Sequence, residues 1–110
     1  MATAAATRDA VFKALADPTR RALFEQLSRA GEQTVVVLTA RAGVSQPAVS
    51  KHLRVLKRAR LVNGRREGRE THYSAQPKAL APLMDWMEFY GKFWAERFDA
   101  LDEVLKEMKG

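Results

Sequence analysis

Gln46, Ser50, Lys51 and Arg54 recur at intervals that bring polar and cationic groups to one side of a helix. At about 100° of rotation per residue, Gln46, Ser50 and Arg54 fall within about 80° of one another. Arginine and lysine donate to guanine edges, a carboxamide pairs with adenine, and a serine hydroxyl bonds base edges or phosphates. A second group, Arg65, Arg66 and Arg69, surrounds Gly64 and Gly68. Such a flexible cationic tip suits a phosphate backbone or a minor groove. Catalysis has no comparable footing. Neither His52 nor His72 has a visible serine, carboxylate or second histidine partner for acid–base work. The chain contains no phosphate-binding glycine loop and no nucleophile motif, and with no cysteine it lacks thiolates altogether.

Positioning these groups requires a scaffold, and the apolar pattern supplies one. Ala10 to Ala16 reads as a short helix. Asp17-Pro18 starts another, with aspartate as N-cap and proline at the first helical position, ending near Ala30-Gly31. Thr34 to Gly43 reads as a brief extended stretch and a short helix closed by glycine. Ser45 caps a long helix through about Arg60, whose Val49, Leu53 and Leu56 form one apolar stripe opposite the cationic face. Leu61 to Gln76 reads as two short strands joined by an arginine- and glycine-rich tip. Leu80 to Met108, beyond Pro77, is a last long helix. The expected fold class is therefore mainly α with a small β-hairpin. A short helix, a glycine turn, a helix split into apolar and cationic faces and a basic hairpin together describe a winged helix-turn-helix. The same split also describes an ordinary amphipathic helix with a solvated outer face.

Charge sharpens the choice. The net charge is +6, and residues 41–76 carry nine basic groups against Glu67 and Glu70, a net of +7. A basic middle in an otherwise balanced chain is the footprint expected of a polyanion-binding surface. The length fits one domain, expected over 8–110 after a flexible 1–7, with the helix-turn-helix and wing in 34–76 and a dimerisation helix in 78–108. No apolar run approaches a membrane span, and MATAAATRDA lacks the form of a secretory signal, so the cytoplasm is left by elimination.

The last helix carries more apolar surface than a small core needs. Met87, Tyr90, Trp94, Phe98, Leu101, Leu105 and Met108 follow one another at intervals of three or four, and Trp86, Phe89 and Phe93 form a second stripe. One stripe is expected to pack inside and the other against a second copy of the chain. An aromatic-lined seam also leaves a small-molecule effector open, although such stripes more often form core.

The stretches FKALADPTRRALFEQL, SQPAVSKHLRVLKRARLV and GRREGRETHYS resemble the ArsR family of bacterial winged-helix repressors, in register from about Ala10 to the C-terminus. The resemblance implies a homodimeric repressor that binds an inverted-repeat operator in double-stranded DNA and often controls its own operon. It places Ser45, Gln46, Ser50, Lys51 and Arg54 on the recognition helix and Arg65, Arg66 and Arg69 on the wing. Met87, Tyr90, Trp94, Phe98, Leu101 and Leu105 are the expected dimer contacts. In one respect the chain departs from the family. Its metal-sensing members carry a cysteine box before the recognition helix, or Asp, His and Glu ligands on the last helix. Here TVVVLTARAG stands at the first place, and neither His52 nor His72 lies on the last helix. Asp85, Glu88, Glu96, Asp99, Asp102 and Glu103 alone make a poor transition-metal site, so no metal or cofactor is expected. His52, at the edge of the apolar stripe, is expected to pack with a hydrogen bond, and His72 to be structural. A winged-helix module for protein contacts or non-specific, architectural nucleic-acid binding is the competing reading.

Overall fold

The computed structural model describes residues 3–109. Helix α1 (Ala4–Ala16) packs on α2 (Pro18–Ala30), followed by the two-residue strand β1 (Gln33–Thr34), α3 (Val35–Ala42) and α4 (Gln46–Arg58). Strands β2 (Val62–Glu67) and β3 (Glu70–Ala75) form the wing. A 3₁₀ turn over Pro77–Leu80 then leads into the 29-residue α5 (Ala81–Lys109). No helix among the described residues is long and apolar enough to cross a membrane.

Local chemistry explains most boundaries. Asp17 Oδ1 accepts the Arg20 backbone N–H at 3.0 Å, satisfying an orphan donor of α2. That bond holds the Asp17 carboxyl below its usual range. The Arg20 guanidinium donates to the carbonyls of Ala14 and Lys13 at 2.7 and 3.0 Å, closing the end of α1. Thr34 and Ser45 cap α3 and α4 in the same way through Val37 and Ala48. Between them Gly43 sits at φ 70°, the left-handed turn that a Cβ would strain.

Helix α4 ends less comfortably. The Leu61 N–H donates to Leu56 O and the Arg60 N–H to Lys57 O, both at 3.0 Å, the paired bonds that close a helix through a left-handed residue. That residue is Arg60, at φ 63°. The left-handed region costs an L-residue about 1–2 kcal/mol, and the greater unfolded-state freedom of glycine returns about half of any gain. Arg60→Gly is therefore expected to stabilise the domain by about 0.5–1 kcal/mol, read as a higher urea midpoint at unchanged slope. A lower midpoint would show that the Arg60 side chain contributes more than its backbone loses.

The core lies where α1, α2, α3 and α4 meet the wing. Leu38, Val49, Leu53, Leu56 and Leu61 are fully sequestered, with Val11, Leu23, Leu27 and Val62 beside them. Each such side chain contributes about 1.5–3 kcal/mol by leaving water. Tyr73, Ala75, Leu80 and Leu83 pack on its margin.

Three expectations need correction. Residues 4–7 are not a loose segment: α1 starts at Ala4 because Thr3 Oγ1 accepts the Ala6 N–H at 3.0 Å. The alanine run has no apolar period to read, but alanine favours helix more than any other residue. The hairpin is not alone either. Strand β1 pairs antiparallel with β3, giving a three-stranded sheet of order β1-β3-β2. Finally, neither stripe of α5 packs inside. No residue of the helix is buried, and of the second stripe Trp86 alone finds a partner on another element, edge-on to Phe12 of α1 at 5.3 Å. From Met84 to Lys109 every residue of α5 is exposed among the described residues.

Candidate nucleic-acid interface

Helix α4 is divided as its sequence implies. Val49, Leu53 and Leu56 are completely buried, while Gln46, Lys51 and Arg54 are exposed and Ser50 is half-buried among them. Burial on one side fixes the helix's rotation, so the other side is held outward without further support. Ser45 Oγ is engaged in capping, accepting the Ala48 N–H at 3.3 Å, which leaves its proton and one lone pair for an outside partner. Lys57 and Arg58 occupy the last turn, where cations complement the helix dipole.

The wing ends in a two-residue turn, Gly68-Arg69, between the paired Glu67 and Glu70, with Gly68 at φ 62°. Its alternation sorts the arginines. Arg66, cross-strand from Thr71, lies near the tip with Nε donating to Gly68 O at 3.2 Å. Arg69 at the turn shares a small cleft with Thr34, Val36, Gln46 and Thr71. The wing turn and the first turn of α4 thus line one cleft, although 23 positions of sequence separate Gln46 from Arg69.

Arg65 behaves differently. It points to the sheet's outer face, donating to Glu67 at 2.8 Å and to Glu32 across the sheet. These two carboxylates hold its guanidinium firmly protonated, and Arg65 in turn holds the Glu67 carboxyl below its usual range. His72 completes this cluster. Its Nδ1 lies 3.7 Å from Glu32, and its Nε2 lies 3.7 and 3.8 Å from Glu67 and Glu70. The reading of His72 as lacking carboxylate partners is therefore corrected. Glu32 is forty residues away in sequence, and only the pairing of Thr34 with His72 brings it near. His52 is corrected as well. It is half-buried as expected, but its Nδ1 is buried and has no hydrogen-bond partner among the described residues.

Comparison with known proteins agrees with this geometry. Residues 15–65 match the sequence profile of a helix-turn-helix domain. The HTH-type transcriptional regulator Rv2034 of Mycobacterium tuberculosis is 44% identical over 97 residues, covering 88% of this chain and 87% of its own. The transcriptional repressor SdpR of Bacillus subtilis is 35% identical over 77 residues, 70% of this chain and 84% of its own. The crystal structure of the ArsR-family transcriptional regulator RHA00566 superposes with a TM-score of 0.75 at 28% identity, covering 86% of this chain and 97% of that one. The chain belongs to the ArsR family.

An ArsR-family chain is a DNA-binding transcriptional regulator and not an enzyme, and the parts fall into place accordingly. The structure brings Gln46, Ser50, Lys51 and Arg54 onto the outer side of α4 and sets Arg69 in one cleft with Gln46. It turns Arg65 away into an ion-pair cluster. Exposed cations outside the residues singled out from sequence include Arg41, in the last turn of α3, and Lys57 and Arg58, in the last turn of α4. There is no cysteine, and among the described residues no three His, Asp or Glu side chains gather into a ligating group.

Proposed function

We propose that this ArsR-family chain is a homodimeric repressor that binds an inverted-repeat operator sequence-specifically, without sensing metal through cysteines. The recognition helix α4 reads base edges with Gln46, Ser50 and Arg54, assisted by Lys51 and Ser45, while Arg66 and Arg69 anchor the wing to phosphates. The observation that carries this reading is the fixed rotation of α4. Its inner stripe is wholly buried, and its polar outer face stands beside the wing turn. The exposed apolar length of α5 supports a dimer, whose two-fold axis would direct two recognition helices at successive major grooves. The place of action is the compartment that holds the DNA, the cytoplasm.

The test is a competition assay on the DNA upstream of the protein's own gene. Specific binding is expected to survive roughly a thousandfold excess of unrelated duplex, and chelator is expected to change affinity by less than about twofold. Equal affinity for operator and scrambled duplexes would favour the architectural reading. A tenfold response to chelator, about 1.4 kcal/mol of coupling, would overturn metal independence.

A further inference from the structure

The apolar seam of α5 has a stricter period than its large side chains alone suggest. Met84, Met87, Gly91, Trp94, Phe98, Leu101, Leu105 and Met108 alternate intervals of three and four without a break. This is the seven-residue repeat of helices that pair, and it runs through Gly91 rather than the neighbouring Tyr90. The large members are between 45% and 78% exposed. At on the order of 100 Å² each these seven offer roughly 700 Å² per chain, close to the ~800 Å² that each partner contributes to a standard interface.

Gly91 is the anomaly in this seam. Glycine in an exposed helix interior costs about 1 kcal/mol relative to alanine. A methyl group built there would meet no atom of the described chain within 4 Å, and the backbone is ordinary helix. Nothing inside the chain therefore requires the missing side chain. At Gly91 lies an open hollow of about 690 Å³, lined also by Met84, Trp86, Met87, Glu88, Tyr90 and Trp94.

We infer that two copies of α5 cross antiparallel at Gly91, with Trp94 of the partner subunit filling the hollow. The inference rests on the dimer proposed above. Reversing the second helix brings the two seam positions of each heptad face to face. A two-fold axis midway between Gly91 and Trp94 sets Gly91 opposite Trp94 of the partner subunit, and Met87 opposite Phe98 of the partner subunit. The smallest seam residue thereby meets the largest, twice by symmetry. Trp94 is one turn from Gly91, about 4.5 Å along the axis, so one crossing fills both hollows. Without a side chain at Gly91 the axes approach toward the short end of the 8–10 Å range for packed helices. That crossing also sets how far apart the two recognition helices stand, and hence the operator spacing they accept.

Gly91→Leu and Gly91→Ala test the crossing, in a Trp86→Phe background where Trp94 is the one remaining tryptophan. Sedimentation equilibrium and Trp94 emission are read together, with far-ultraviolet circular dichroism confirming an unchanged fold. The expected parent is a dimer with blue-shifted Trp94 emission that moves red on dilution. Gly91→Leu is expected to raise the dissociation constant at least tenfold and to leave Trp94 emission red where the parent is dimeric. Gly91→Ala is expected to weaken the dimer less, while raising helix content. A Gly91→Leu dimer as tight as the parent would overturn the crossing and leave the dimer standing. A monomeric wild-type chain at micromolar concentration would overturn both. Stoichiometric binding of anilinonaphthalene sulfonate at this hollow in the intact dimer would show it unfilled and also overturn the crossing.

Discussion

Trp94→Ala yields a folded chain that no longer dimerises at micromolar concentration and that binds its operator far more weakly. The expectation follows from where the side chain stands. Trp94 is 53% exposed in its own chain, and its ring neighbours are Phe93 and Phe98 of the same helix. Removing it therefore costs the monomer's core nothing, and thermal unfolding measured at concentrations where the wild type is monomeric should not move. A central aromatic anchor in an interface costs about 2 kcal/mol or more when truncated. The substitution occurs twice in a two-fold dimer, so roughly 4 kcal/mol, or about a thousandfold in dissociation constant, is expected. Sedimentation equilibrium measures the first effect, and fluorescence anisotropy on operator duplex the second. A lowered melting temperature of the monomer with intact dimerisation would place Trp94 in a core of its own chain and refute the seam.

The second large effect separates reading from anchoring. Arg69→Ala and Arg66→Ala should weaken operator and scrambled duplexes alike. Each phosphate contact removed takes ~0.9 from the slope of log affinity against log salt, so a symmetric dimer loses nearly two. Gln46→Ala and Arg54→Ala should instead cost about 1–3 kcal/mol at particular base positions and leave scrambled DNA less affected. Gln46, being uncharged, should keep the salt slope intact. Arg65→Ala is the informative control. Its guanidinium already satisfies Glu32 and Glu67, so its removal should flatten the slope less than that of Arg69. Anisotropy on both duplexes across a salt series decides the matter. Uniform losses from Gln46→Ala and Arg54→Ala would mean that α4 does not read sequence.

The contrast among Arg65, Arg66 and Arg69 shows where sequence reasoning stopped. All three lie within five positions and share one charge, so composition treats them as equals. Strand alternation turns Arg65 to the outer face, and the pairing of Thr34 with His72 brings Glu32 within its reach. A carboxylate thirty-three residues away is not visible to any local pattern. The distant partner of His72, Glu32, was hidden for the same reason, whereas Glu70 two residues away and Glu67 near the other side of the turn are local. The sharing of one cleft by Gln46 and Arg69 is likewise a product of how the sheet closes against α3.

What the sequence determined by itself is local in its physics. Asp17, Thr34 and Ser45 each satisfy orphan helix donors within three residues, and Gly43 supplies a backbone angle that no other residue adopts cheaply. The apolar stripe of Val49, Leu53 and Leu56 fixes which side of α4 faces inward, because a helix can bury only one stripe. These terms act over one or two turns and leave a periodic trace. The fate of α5 was beyond them. Its two apolar stripes are equally hydrophobic in sequence, and the choice between inside and outside depends on whether the rest of the chain reaches that far. Only the tertiary structure decides this: Leu80 and Leu83 pack on the margin of the core, Trp86 meets Phe12 of α1, and the seam residues from Met84 onward stay exposed. Burial is a property of what surrounds a residue, and among the described residues nothing covers the seam of α5.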